Sequence, residues 1–371
     1  MIAAAFRLRA DQAISNAGRR SPRQLSISCL GLLLAVFGML ATACSDGRTP
    51  VLVYSPHGRD LLQLFEETFE AAHPEIDVRW LDMGSQEVYD RVRSERANPQ
   101  CDVWFGGPDP IFARAAREGL LAPYRPGWAD SVPAASRAPG DLYFGVFRTL
   151  PILVYNQQLV SEEEAPRDWE DLLAPRFAGK VLIRDPIASG VMRTVFGLIV
   201  ARSVAATGST DAGFAWLRRL DAATKEYVAN PALLQQKIVR GEGEVTMWEL
   251  TDILLERRKG VPLGYRFAAS GTPVIDDAIA LVANAPHRAA AVEFLEFAGS
   301  VEAQALAAAR VYRIPARDDL PLETLPDWAQ QVLTEMKPAE YDRALASREG
   351  SNWMGIWDRT VRGRGRELGG S

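Results

Sequence analysis

Three times in succession between residues 51 and 124, an apolar strand-like run passes through a turn of small residues into an amphipathic segment. "VLVYSPHGRDLLQLFEETFEAAHP" comes first, with Leu61, Leu62, Phe65 and Phe69 at helical spacing; "IDVRWLDMGSQEVYDRVRSE" and "CDVWFGGPDPIFARAAREGLLAPY" repeat the design. Strands separated by helices pair in parallel, because the helix supplies the crossover that a tight hairpin cannot. The repeat therefore predicts an α/β fold with a parallel sheet covered by helices.

After a polar, proline-containing stretch around Ala134 to Asp141, "FGVFRTLPILVYN" is one long apolar run that reads as a strand passing between two domains. "KVLIRDP" and the helix after Ser189 open a second α/β unit. "FAWLRRLDAAT", "KEYVAN", "PALLQQKIVRG" and "EVTMW" continue it as helix, strand, helix and strand. "TPVIDDAIALVAN" then reads as a return strand, followed by helical segments to the end. With 371 residues the chain is also longer than one core readily serves. These features predict a first lobe over residues 44–150, a second over 151–274, and a return to the first lobe with C-terminal helices over 275–371. Two crossings at the waist make a cleft that closes around a ligand, and ligands in such sheets sit at the carboxyl ends of strands.

Residues 1–43 read as a signal peptide: Arg7, Arg9, Arg19, Arg20 and Arg23 make a basic leader, and the uncharged run Leu25 to Ala43 ends in "LATAC". Cys44 after Ala-Thr-Ala resembles the lipid-accepting cysteine of a bacterial lipoprotein. Plain Ala-x-Ala cleavage or a retained anchor stays open, since Ala41 stands where such signals carry Leu. The net charge is −5, and losing the leader makes the chain more acidic. That surface does not suit nucleic acid. Of the three cysteines, Cys29 lies in the leader, Cys44 is the lipidation candidate, and Cys101 precedes the buried-strand pattern "DVWF", so no disulfide is expected.

"VYSPHG", "DVWFGGPD", "GLLAPY", "VYN", "GKVLIRDPIASGVM", "NPALLQ" and "AVEFLEFAGS", in this order, resemble the periplasmic solute-binding proteins of ATP-driven importers, within the cluster of ferric-iron, thiamine, phosphonate and sugar-phosphate binders. The resemblance implies a two-lobed fold, each lobe a mixed sheet covered by helices, with a double-strand hinge. It also implies a monomer outside the cytoplasm that delivers a small solute to an ABC permease in the inner membrane, with no cofactor.

Within "DPIASGVM", Ser189 is suited to cap a helix beginning at Gly190, which leaves the amides of Gly190, Val191 and Met192 without partners inside that helix. Such a terminus favours anions. Equivalent turns place Ser55, His57 and Gly58, then Ser85 and Gln86, then Gly106 and Gly107, beside the same cleft. Together they predict a polar, anionic group on the ligand. Tyr155 on the crossing strand, Asn230 at a helix start, and Trp248 beside Glu249 complete the candidate set. Trp248 and Glu249 suggest a stacked organic group with a nearby cation, as in an aminophosphonate or a phosphorylated thiamine. Asn230 reads equally well as a helix cap, His57 equally well as a solvent-facing turn residue, and Asp276 and Asp277 as cation ligands or solvated charges.

Ferric iron is the alternative ligand. The family's iron binders use adjacent tyrosines, whereas the matching place here is held by Thr251 and Asp252, so a transferrin-like site is not expected and no metal ligand is assigned, while a carboxylate-rich iron site using Glu249 or Asp252 stays open. An exported hydrolase built on Ser55 and His57 is a rival class, but no Gly-x-Ser-x-Gly turn, phosphate loop or paired-histidine zinc pattern occurs. A protein-binding lipoprotein using Arg359, Arg362, Arg364 and Arg366 is a third.

Overall fold

The computed structural model describes residues 47–365; the segment 1–43 expected to be a signal peptide, Cys44 and Arg366 lie outside the described residues. The three β–α repeats form β1 (Thr49–Ser55), α1 (Arg59–Ala72), β2 (Ile76–Asp82), α2 (Ser85–Ser94), β3 (Val103–Pro108) and α3 (Asp109–Arg117). β1 pairs in parallel with both β2 and β3. Leu61, Leu62, Phe65 and Phe69 form the buried face of α1, as their spacing predicts.

A short β4 (Leu121–Ala122) leads to β5 (Phe144–Thr149), and only Leu150 separates β5 from β6 (Pro151–Asn156). These two strands belong to different sheets, so the apolar run is indeed a crossing. The second sheet adds β7 (Val181–Arg184), α4 (Gly190–Thr207), α5 (Asp211–Ala223), β8 (Thr224–Val228), α6 (Pro231–Val239), β9 (Val245–Glu249), α7 (Leu250–Arg258) and β10 (Leu263–Arg266). Its order is β10-β6-β9-β7-β8, with β7 parallel to β8 and β9. The chain then returns through β11 (Ile275–Val282), α8 (Arg288–Ala298), α9 (Val301–Val311) and β12 (Ile314–Pro315). The first sheet runs β12-β5-β11-β3-β1-β2, with β4 on β11. Every residue of β11 is buried, because the strand lies between β5 and β3.

The return is not the end of the path. α10 (Asp327–Glu335) and α11 (Arg343–Thr360) go back to the second lobe, where Val332, Trp353, Met354 and Trp357 join the core built by β6, β7 and α4. The last turn is held by polar bonds: Asp221 accepts from the amides of Gly363 and Gly365 at 2.9 and 2.7 Å, and Arg362 meets Asp185 at 2.5 Å. α4 is apolar and long enough to span a membrane by length and composition. Here Met192, Val195, Phe196 and Val200 are buried in the second lobe's core instead.

Close backbone approach makes Gly106 in the first lobe structurally required. Gly106 has φ +101°, and a Cβ there would lie 2.4 Å from His57 Nε2. Gly106→Ala is expected to cost about 2–4 kcal/mol, from the unfavourable φ and the overpacked ring together. Thermal denaturation followed by circular dichroism should show a melting temperature several degrees lower; an unchanged one would mean that the ring has room to move.

Candidate functional site

Parallel pairing brings the carboxyl ends of β1, β2 and β3 to one edge of the first sheet, and β7 and β9 do the same in the second. Between these edges lies a cavity of about 110 Å3. Three of its charged groups are the final residues of strands: Asp82 of β2, Arg184 of β7 and Glu249 of β9. Asp277 enters differently. β11 runs antiparallel to β3, and the register Asp277↔Pro108 carries its carboxyl to the edge where β3 ends. Asp252, in the first turn of α7, is the fifth charged group in the lining.

The cavity has two electrical ends. At one, Arg184 is buried, and its Nη1 donates to the Val228 carbonyl at 3.2 Å. No carboxylate forms an ion pair with it among the described residues. It lies beside the starts of α2 and α4: a Cβ on Gly84 would be 3.6 Å from Arg184 Nη2 and 3.1 Å from the Ala188 carbonyl oxygen. An unpaired guanidinium and two helix N-termini form a concentrated positive region.

At the other end, carboxyls crowd. Burial pushes Glu249 well above the usual carboxylate range, with Asp252 and Asp277 adding to the effect and Arg313 opposing it. Burial also raises Asp252, which accepts from Trp248 Nε1 at 2.7 Å and Gln235 Nε2 at 3.0 Å. Asp277, bonded by the Thr149 hydroxyl, is pushed up to about 6, chiefly by burial. Desolvation raises Asp82, and the nearby Asp252 adds to it. These groups hold protons more tightly than in water, and a cation placed among them would displace those protons.

The lobes meet across the cavity. Gly190 N donates to Ser85 Oγ at 3.1 Å, and Arg193 Nη1 donates to Gln86 Oε1 at 3.0 Å. Behind the acids, Thr251 Oγ1 donates to the Tyr312 carbonyl at 3.0 Å, and Arg313 donates to the His57 carbonyl at 2.6 Å.

Residues 66–335 match bacterial extracellular solute-binding proteins. The chain belongs to that family. A putative 2-aminoethylphosphonate-binding periplasmic protein of Salmonella typhimurium is 30% identical over 341 residues, which cover 88% of this chain and 92% of the relative. Iron uptake protein A1 of Synechocystis is 27% identical over 259 residues, 67% of this chain and 70% of that one. The periplasmic binding protein AfuA of Actinobacillus pleuropneumoniae, solved with fructose-6-phosphate, superposes with a TM-score of 0.73 at 24% identity and covers 86% of this chain and 99% of its own. The protein is the solute-binding component of an ABC-type importer, two-lobed and working outside the cytoplasm.

In this solute-binding protein the predicted site residues separate into groups. His57, Gly58, Ser85, Gly107, Ser189, Gly190, Val191, Trp248 and Glu249 all line the cavity. Ser55 stands just behind it, its hydroxyl accepting from His57 N at 3.1 Å. Gln86 faces a neighbouring cavity, and Gly106 lies against the His57 ring. Tyr155 packs inside the second lobe, where Gly264 has no side chain to displace it. Asn230 is exposed and caps α6 by accepting from Leu233 N at 3.0 Å, while its neighbour Pro231 reaches the cavity.

As expected, Ser189 caps α4, its Oγ taking Met192 N at 3.3 Å, while Ser85 Oγ of the first lobe takes Gly190 N, so Val191 N is left for a ligand among the described residues. The structure removes one alternative. His57 is not a solvent-facing turn residue. Its ring makes edge contacts with Phe105 and Phe147 at centroid distances of 4.9 and 5.6 Å, and burial beside Arg313 keeps it neutral.

Arg184, Asp82, Asp252 and Asp277 received no role, or none beyond an open choice, from the sequence. A signal for the first two was present, since each is a charge closing an apolar strand, in "IDVRWLD" and "KVLIR". Among the described residues no group of three His, Cys, Asp or Glu is arranged to hold a metal ion.

Proposed function

We propose that the solute is a small zwitterion, with a phosphonate, phosphate or carboxylate at one end and an ammonium at the other. The observation that carries this reading is the polarity of the 110 Å3 cavity, where unpaired Arg184 and the starts of α2 and α4 face four crowded carboxyls. The anionic group takes Arg184, the Val191 amide and the Ser85 hydroxyl. The ammonium lies among Glu249, Asp252 and Asp277, with Trp248 beside it. Each half gains from the other, because a lone anion would leave the carboxyls crowded and a lone amine would leave Arg184 unpaired. The similarity to a putative 2-aminoethylphosphonate binder supports this chemistry.

Binding is non-catalytic in this reading. Ser55 and His57 do not form a nucleophile–base pair: the hydroxyl meets the histidine's main-chain amide, and the ring is boxed by phenylalanines. "LATAC" supports export with a lipid on Cys44, as a monomer tethered at the membrane face near its permease. Mass spectrometry of membrane-extracted protein checks this, since a Cys44 N-terminus with no lipid mass would rule the anchor out.

Isothermal titration calorimetry of three ligands tests the zwitterion. 2-Aminoethylphosphonate should bind at least tenfold more tightly than ethylphosphonate or ethanolamine. Equal affinity for ethylphosphonate would remove the acidic half from the site. Affinity should also depend on pH with a definite sign. An ammonium favours ionised carboxyls, and Asp277 titrates at about 6 in the ligand-free protein. Zwitterion affinity should therefore fall as pH drops from 7 through about 6, with proton release on binding near that pH. In the absence of ligand the same raised carboxyl makes the opposite contribution: the folded state binds the extra proton, so stability is gained below pH 6 and lost above it.

A further inference from the structure

Beyond the Ser85–Gly190 contact the space between the lobes widens into a second cavity of about 430 Å3. Pro108 and Gly190 stand in the wall that the two cavities share. The second cavity is formed by α3 of the first lobe, α4 of the second, α11, and the strand entering β11. Its charge balance is unlike that of the solute cavity. Five arginines, Arg114, Arg117, Arg193, Arg343 and Arg348, line it against two carboxylates, Asp109 and Glu118.

Much of that positive charge is already matched. Glu118 meets Arg114 at 3.3 Å, Arg343 meets Asp276 at 3.3 Å and Asp109 at 3.8 Å, and Arg348 meets Glu349 at 3.2 Å. Arg117 and Arg193 have no ion-pair partner among the described residues. Arg193 spends Nη1 on Gln86 across the lobes and Nη2 on the Ile187 carbonyl at 2.8 Å, while its Nε is buried without an acceptor. An oxyanion in the cavity supplies the ion-pair partner that both guanidiniums lack. Ile111, Val274, Ile275 and Tyr341 supply apolar wall for a carbon skeleton.

We propose that this cavity is a second ligand site, for a small organic anion with phosphate or carboxylate groups, held by Arg117 and Arg193. Arg117 lies on α3 and Arg193 on α4, so the occupant touches both lobes at once. It binds the closed arrangement and, by linkage, favours closure over the solute. The inference goes beyond the zwitterion reading and does not depend on it.

Inorganic pyrophosphate serves as the probe, titrated calorimetrically at low ionic strength into the full-length mature protein. Wild type should bind it. Arg117→Ala/Arg193→Gln should weaken binding at least tenfold, and Arg117→Ala alone, an exposed change, should weaken it several-fold with no change in melting temperature. Arg184→Ala, which disables the anion end of the solute cavity, should leave pyrophosphate affinity within twofold of wild type. Loss of pyrophosphate binding in Arg184→Ala would assign the anion to the solute cavity and overturn the second site. So would undiminished binding in the double variant, or no binding in wild type. None of these results bears on the titrations with 2-aminoethylphosphonate, so either proposal can fail alone.

Discussion

Arg184→Ala is expected to lower the affinity for 2-aminoethylphosphonate on the order of 100-fold while leaving the fold intact. The guanidinium is buried at the end of β7 with one main-chain acceptor and no carboxylate partner. A bound phosphonate completes the pair, and truncating one member of a buried, hydrogen-bonded charge pair costs about 3 kcal/mol, which is roughly 100-fold. The ligand-free protein behaves in the opposite sense. Burial disfavours the charge on Arg184, so removing it relieves a desolvation cost, and the ligand-free melting temperature should stay level or rise. Calorimetry together with thermal melting checks both halves. Affinity within twofold of wild type would move the anion away from this residue.

Gly190→Val is expected to uncouple folding from closure. A Cβ at this position would lie 2.7 Å from Pro108 Cδ and 2.7 Å from Ser85 Oγ, both contributed by the first lobe. The second lobe itself tolerates the change, because Gly190 is the first residue of α4 and has no unusual φ. The added side chain therefore acts as a wedge between lobes, with an overpacking cost of about 1–3 kcal/mol that falls on the closed state. Solute affinity should fall roughly 10- to 100-fold, and small-angle scattering should show no contraction on addition of solute where wild type contracts. Full affinity with normal contraction would mean that the lobes close along a different surface.

The contrast between Ser189 and Arg184 shows how far local pattern reaches. A serine before glycine at the start of a helical run is a cap by local geometry alone, and its hydroxyl does accept from Met192 N. The buried apolar face of α1 follows in the same way from the period of its residues. Arg184 closes an apolar strand, and such a charge reads in sequence as a solvated end. It is a site residue only because α2 of the first lobe is folded against it, with Gly84 a hundred positions away along the chain.

Local chemistry thus settled the α/β class, the strand that crosses between lobes, the turns that open on the cleft, and the cap on α4. Each depends on residues within a few positions of one another, where periodicity and backbone preference act directly. Tertiary packing decided the rest. It spends the Gly190 amide on Ser85, places Tyr155 in the core, sends α11 back to the second lobe, and gathers Asp82, Glu249, Asp252 and Asp277 opposite Arg184. The reason is that burial and electrostatic crowding belong to the space between segments, and no single segment contains that space.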